Sequence, residues 1–291
     1  MMKLRLLVRK IIGWCVGMFY VTIGARKRAL AQYRNKGMIL SIFSHNPMPE
    51  VLDGIIRWLK RNGFAFVSTD ELLDIRDGRR EWTPLTAWLT FDDGWQGFPD
   101  NLLPVLEKYS VPATVFVAPN ETKRGYVWLT SGVMETFGNR MRELFTMPSG
   151  ERYEAIAPVI EVRNPITHLM DEDKIKALSK HSLITIENHT WTHLSASHRP
   201  VDEVISEIRQ AGDVIYEWTG RKPRMVCYPF GHRTQETDIA IEKIGLIPVT
   251  SIAGPMDINA LGAHRNMFTD DMSLIENVGR ILGAWPRVRE F

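Results

Sequence analysis

From Met38 onward, short apolar runs alternate with amphipathic stretches, the pattern of repeated strand and helix units. Residues 38–43, 86–91 and 113–117 are compact runs rich in β-branched and aromatic side chains, as expected of buried strands. Between the first two runs, Val51, Leu52, Ile55, Ile56 and Leu59 recur at helical spacing, and Asn62-Gly63 supplies a stop before a short strand at 64–67. Thr69 and Asp70 are expected to cap the helix that follows. A helix is expected near 98–109.

The rhythm breaks from about 119 to 170, where Trp128, Phe137, Phe145 and Tyr153 are scattered without a clean period. This stretch reads as an insertion, helical in part. Beyond it the alternation resumes, with helices expected at 171–180, 201–218, 237–244 and 272–282, and strands at 183–186, 225–228, 247–250 and 263–268. Strand, helix, strand order favours parallel pairing. Six or seven such strands suit a barrel-like α/β domain, with function at the carboxyl ends of the strands.

The N-terminus has a different grammar. Residues 11–24 are almost uninterrupted apolar sequence, with Arg9 and Lys10 before them and Arg26, Lys27 and Arg28 after. Residues 1–36 contain no Asp or Glu. Fourteen apolar residues are short for a bilayer span, so the preferred reading is an apolar helix that forms a membrane-surface or re-entrant anchor, its basic flanks meeting anionic headgroups. A helix packed on the domain and a signal peptide or signal anchor stay open; three basic residues before the small-x-small site at Ala29-Leu30-Ala31 argue against cleavage. The expected organisation is therefore a membrane-associating segment at 1–36 and a catalytic domain at 37–291. Basic residues flank the apolar segment on both sides, which leaves the side of the membrane undecided.

Composition changes this picture little. A chain of 291 residues with 44% hydrophobic content can bury an enzyme-sized core, and 36 basic against 34 acidic residues give no reason to invoke nucleic acid. Two cysteines, Cys15 and Cys227, make no disulfide framework and no CxxC pair. A metal would have to be held by His and carboxylate, a donor set that suits zinc, iron, manganese or cobalt.

Three motifs carry candidate chemistry. Thr90-Phe91-Asp92-Asp93-Gly94 places two carboxylates where a strand stops. Neighbouring side chains of extended backbone diverge, so one carboxylate can ligate while the other acts as a base. His189-Thr190-Trp191-Thr192-His193 follows the strand at 183–186, and histidines four apart share a face if the segment turns helically. In Cys227-Tyr228-Pro229-Phe230-Gly231, Pro229 and Gly231 shape a turn that would present the Phe230 amide as an oxyanion donor. Each motif alone is compatible with turn or packing chemistry. Trp95, Trp128 and Trp191 are candidate surfaces for sugar rings, whereas His168, His181, His198 and His232 show no partner pattern.

In this order the three motifs resemble the polysaccharide deacetylases of the NodB-homology type, carbohydrate esterase family 4, over about residues 45–265. The resemblance implies a distorted (β/α) barrel that binds a divalent metal, usually Zn2+, through Asp93, His189 and His193, with Asp92 as catalytic base. Two departures stand out. Cys227 occupies the place of an Arg that braces the catalytic Asp in many members, a loss shared with poly-N-acetylglucosamine deacetylases. The family's late Leu-x-His motif, source of the catalytic acid, has its counterpart in Leu261-Gly262-Ala263-His264, one residue longer. His45, at the end of the first strand, matches a His carried by many members, and a capping role is its alternative.

The expected activity is hydrolysis of an N-acetyl or other N-acyl group on an amino sugar. Asp92 would activate water, the Phe230 amide would hold the oxyanion and His264 would protonate the departing amine. The expected substrate is a polysaccharide or, given the N-terminus, a lipid-linked glycan. A catalytically degenerate glycan-binding or assembly protein is the alternative on the same fold. A non-haem iron oxygenase shares the ligand set but has no use for the second carboxylate.

Overall fold

A computed structural model describes residue 15, residues 25–163 and residues 168–283. The apolar segment expected at 11–24, apart from Cys15, lies outside the described residues. In chain order the elements are α1 (Ala25–Gln32), β1 (Met38–Ser44), α2 (Pro49–Arg61), β2 (Ala65–Phe66), α3 (Thr69–Arg76), β3 (Thr86–Phe91), α4 (Leu103–Tyr109) and β4 (Ala113–Val117). Then follow α5 (Pro119–Arg124), α6 (Ser131–Phe137), α7 (Met141–Thr146), α8 (Ser149–Arg163), α9 (Glu172–Leu178) and β5 (Ile184–Asn188). The last are α10 (Val201–Thr219), β6 (Met225–Cys227), α11 (Gln235–Lys243), β7 (Ile247–Val249), β8 (Met256–Asp257), β9 (Asn266–Met267) and α12 (Leu274–Ile281). Among the described residues no helix is long and apolar enough to cross a membrane.

The described chain forms two compact units. The first comprises residues up to Phe91, Pro99–Thr114 and the residues from Ser251 onward. Its centre is β1, parallel to β3 from Leu40↔Ala87 to Ser44↔Phe91, and antiparallel to β8 at Met38↔Asp257. Every residue of β3 is buried, which is why its sequence is a continuous apolar run and not an alternation. On α2, Leu52, Ile55, Ile56 and Leu59 have no exposed surface, as their helical spacing predicts.

Ser68, and not Thr69 or Asp70, caps α3. Its hydroxyl receives the Glu71 N–H at 3.2 Å and the Glu71 carboxylate receives the Ser68 N–H at 2.8 Å. The reciprocal box needs an acid three residues after the cap, and only Ser68 has one in register. β8, absent from the sequence expectations, is a two-residue strand, too short to show a period.

The second unit comprises Asp92–Phe98 and Val115–Thr250. Its strands run in the order β7-β6-β5-β4, with parallel register Asn188↔Val226 and Met225↔Ile247 to Cys227↔Val249. Leu194, Val204, Ile208, Val226, Tyr228 and Ile241 form the core beneath α10 and α11. Gly220 ends α10 at φ 71°, the left-handed conformation that glycine takes at little cost. The inserted segment folds into α5 to α8 around Trp128, Val133, Phe137, Leu144, Tyr153 and Ile156. Its helices escape periodicity analysis because three have only six or seven residues and the fourth contains Pro158.

Glu187 of β5 is 1% exposed, and one carboxylate oxygen receives both the Arg224 N–H at 2.8 Å and the Met225 N–H at 2.9 Å. Burial pushes its carboxyl up to about 7, against the pull of these two donors and of Arg221. A carboxyl that holds its proton more tightly folded than unfolded contributes stability that is complete below the model-peptide value of 4.5 and is lost as pH rises through about 7. Glu187→Gln keeps an oxygen for both donors and removes the titration. Its melting temperature is expected to fall less than that of the wild type between about pH 5 and pH 8, and equal pH slopes in thermal unfolding would refute this.

Candidate metal and acid-base site

The second unit opens with the two carboxylates. Asp93 has φ 73° and Gly94 φ 75°, so the chain reverses sharply after Asp92. At Asp93 the backbone is thus left-handed and not extended as expected from sequence. A Cβ on Gly94 would meet Val117 Cγ1 at 3.0 Å, so glycine is required for both its conformation and its space. The end of the insertion secures this turn: Met170 N donates to Gly94 O at 2.9 Å and Gln96 N to His168 O at 2.9 Å.

His189 leaves β5 with its N–H donated to Val117 O at 2.9 Å. The residues from His189 to His193 do not form the helical turn that four-residue spacing suggested. Thr190 and His193 are left-handed, at φ 65° and 50°. The Asn188 side chain receives the Thr190 N–H at 2.8 Å and the Thr190 hydroxyl receives the Leu194 N–H at 3.1 Å, so short polar side chains replace helical hydrogen bonds. The outcome is nevertheless one cluster: the imidazole rings lie 4.8 Å apart at 76°.

Both rings point Nε2 at Asp93 Oδ1, His193 at 3.1 Å and His189 at 3.5 Å. Four-coordinate zinc with ligands near 2.0–2.1 Å separates them by about 3.3 Å, a spacing these two distances bracket. His189 Nδ1 lies 2.8 Å from Cys227 O; a carbonyl only accepts, so Nδ1 carries a proton and Nε2 is the nitrogen turned to Asp93. Asp93, His189 and His193 are 6%, 2% and 5% exposed. Burial lowers the His193 imidazole to about 4, keeping it neutral and fit to ligate. For His189 burial also opposes the charge, but Cys227, Asp93 and Asp92 outweigh it and hold its pKa well above the usual value, so an ion would displace the proton from its Nε2. The residues thus fit a divalent ion by donor type, tautomer and spacing.

Asp92, 4% exposed, sits beside the cluster with Oδ2 3.7 Å from Cys227 Sγ. Asp92, His189 and Cys227 make a second possible donor set. The first set fits better because both imidazole Nε2 atoms converge on Asp93. In the turn after β6, Phe230 has φ 61° and its ring stands 4.7 Å from that of His193. His45 and His264 belong to the first unit. His45 is exposed after β1, its ring 6.0 Å from Phe43. His264 is half-buried beside Gly254, next to Arg265, which donates to Thr90 Oγ1 at 2.8 Å.

Several residues near the cluster were not legible as site residues. Trp128 has no exposed surface and cannot stack on a sugar. It donates Nε1–H to His193 O at 2.9 Å. Arg152, 1% exposed, donates to Thr192 O at 2.8 Å, and Glu207 receives the Thr192 N–H and hydroxyl at 2.7 and 2.8 Å. His198 and His232, expected to be isolated, both place Nδ1 on the Ser195 hydroxyl, at 2.6 and 2.7 Å, and both pack on Phe145. A lone Arg or Trp inside an aperiodic stretch carries no sequence signal for such contacts.

Two histidines and two carboxylates gathered behind strand ends of an α/β chain define a class of protein whose donor set suits a divalent ion beside a further carboxylate. The chain belongs to the polysaccharide deacetylase family, whose sequence pattern matches residues 80–249. YxkH of Bacillus subtilis (strain 168), classed by name with the polysaccharide deacetylases, is 22% identical over 233 residues, 79% of this chain and 66% of that protein. The poly-beta-1,6-N-acetyl-D-glucosamine N-deacetylase of Staphylococcus epidermidis is 35% identical over 65 residues, 22% of each chain. Its Staphylococcus aureus (strain MSSA476) namesake is 21% identical over 191 residues, 66% of this chain and 56% of that one. The chain therefore spans less than two thirds of each of these relatives. Among solved structures, the Streptococcus pyogenes deacetylase PplD in complex with acetate superposes with TM-score 0.62 at 17% identity, over 84% of this chain and 98% of that one. IcaB from Ammonifex degensii gives TM-score 0.62 at 18% identity, over 85% and 98%. These likenesses show the deacetylase fold.

Proposed function

We propose that the protein is a metal-dependent hydrolase that removes an N-acetyl or other N-acyl group from an amino sugar in a polysaccharide or lipid-linked glycan. The observation that carries this reading is the convergence of His189 and His193 Nε2 on Asp93 Oδ1 at 3.5 and 3.1 Å, with the Asp92 carboxylate separate from them. The names of the Staphylococcus relatives support an amino-sugar amide as the bond attacked.

Asp93, His189 and His193 would hold the ion, taken as Zn2+ on their nitrogen and oxygen donor set. Bound there, it supplies Lewis acidity to the acyl group and to the attacking water. Asp92 takes the proton from that water. Its only 4% exposure limits competing solvent. The left-handed backbone at Phe230 turns its amide in the Pro229–Gly231 turn, and this N–H is assigned to the developing oxyanion. His264 is assigned as the acid that protonates the departing amine, and His45 as a substrate-binding group.

The test is metal analysis of the purified full-length chain, followed by acetate and formate release from a panel of polymeric and lipid-linked amino sugars. Release of either acid from one class identifies the substrate. Tight glycan binding by the metal-loaded protein without release from any of them would replace this reading with the degenerate one.

The basic, apolar N-terminus is assigned to a membrane surface, since Lys27 and Arg28 at the start of the described helix are exposed. Full-length protein is expected in the membrane fraction after lysis without detergent, and a variant lacking residues 1–24 in the soluble fraction. Full-length protein in the soluble fraction would sink the assignment.

A further inference from the structure

The segment inserted between β4 and β5 supplies a donor to each of three consecutive carbonyls in the loop that carries the histidines. Asn120 N donates to Trp191 O at 3.1 Å, Arg152 Nη2 to Thr192 O at 2.8 Å and Trp128 Nε1 to His193 O at 2.9 Å. From the opposite side Glu207 of α10 receives both donors of Thr192. The loop backbone is thus held on two sides.

Such holding has a purpose, because Thr190 and His193 are both left-handed. That conformation is costly for a residue with a Cβ and persists only where surroundings over-determine it. The way it is held is also costly. Arg152 is 1% exposed, a cation that packing alone would not select. Its guanidinium lies 4.5 Å over the Trp128 ring and 5.3 Å over the Tyr153 ring. Glu121, with no exposed surface, receives the Trp128 N–H at 2.6 Å and the Tyr153 hydroxyl. Arg152 also acts electrostatically on both Glu121 and Glu207. A buried cation placed among two carboxylates, two aromatic rings and a loop carbonyl is a built device, and its output is the backbone of Thr192 and His193.

We infer that Arg152 and Trp128 are positioning residues for His193. By holding the Thr192 and His193 carbonyls they keep the His193 ring turned so that Nε2 stays 3.1 Å from Asp93 Oδ1, ready to take a divalent ion with it. The inference rests on the metal-site reading above and extends it to the insertion, which becomes a part of the site and not merely a cover.

The experiment measures zinc and cobalt affinity of the full-length protein by chelator competition, together with the visible absorption spectrum of the cobalt form. Trp128→Phe removes the Nε1–H and keeps an aromatic ring, Arg152→Met removes the cation, and Arg152→Lys keeps a charge and a donor. Loss of a group that orients a metal ligand commonly weakens binding about 10- to 100-fold. Trp128→Phe and Arg152→Met are expected to lose affinity in that range, with altered cobalt bands, an unchanged KM and a kcat restored by excess metal. Arg152→Lys is expected to recover part of the affinity. If Arg152→Met does not fold, Trp128→Phe decides. Wild-type affinity and cobalt spectrum in a folded Trp128→Phe protein, whatever its melting temperature, would overturn the inference. Wild-type uptake abolished by His193→Ala but untouched by Trp128→Phe overturns it alone, whereas no uptake by the wild type overturns the metal reading with it.

Discussion

Asp92→Asn is expected to lower N-deacylation by about 10²-fold or more while leaving bound metal in place. The substitution keeps shape and hydrogen-bonding capacity and removes the basic oxygen. Asp92 is not the carboxylate on which the two Nε2 atoms converge; its Oδ2 lies 3.7 Å from Cys227 Sγ instead. The loss should therefore appear in kcat, since a factor of 10² corresponds to about 2.7 kcal/mol of transition-state stabilisation. Metal content by elemental analysis and initial rates on the identified substrate give the two readouts. Turnover within about threefold of wild type would remove Asp92 from the role of base.

The complementary expectation concerns His189→Ala and His193→Ala, each of which should abolish stoichiometric metal binding and with it all measurable turnover. Each variant deletes one of the three donors that lie within 4.8 Å of one another. The remaining pair cannot close the site against water, and a structural or catalytic zinc site needs at least three protein donors. The two variants should differ in a second respect. His189 Nδ1 is bonded to Cys227 O at 2.8 Å, so its loss also frees the end of β6. His193 is held through its backbone, so its side chain can be removed with less structural consequence. His189→Ala is thus expected to lower the melting temperature more than His193→Ala when both are stripped with chelator. Full metal occupancy in either variant would refute the ligand assignment.

Cys227 connects these two expectations. Its carbonyl accepts from His189 Nδ1 and its thiol lies against Asp92, so one residue touches both side chains. Where a bracing Arg would bring a full positive charge, a thiol brings only a weak donor.

Much of this was legible beforehand. The apolar runs at β3 and β4 mark strands because parallel strands covered on both faces need apolar side chains at every position. The spacing of Leu52, Ile55, Ile56 and Leu59 marks α2 because one face of a helix must be dry. Asp92, Asp93, His189 and His193 stand out because donor chemistry resides in residue type, and their placement after strands is readable from the same apolar pattern. The short helices of the insertion were not legible, since six or seven residues complete no amphipathic repeat.

What the sequence by itself determined is therefore the alternation of strand and helix, the identity of the donors and their order along the chain. Only the tertiary structure decided how those donors meet. It made the 189–193 segment a loop with left-handed residues in place of a helical turn, set Asp93 itself in a left-handed turn, and placed Trp128 and Arg152 on the carbonyls of the histidine loop. The physical reason is that periodicity and residue chemistry are local, whereas a backbone held in a costly conformation depends on hydrogen bonds between residues about 40 to 65 positions apart in the chain, which no local pattern encodes.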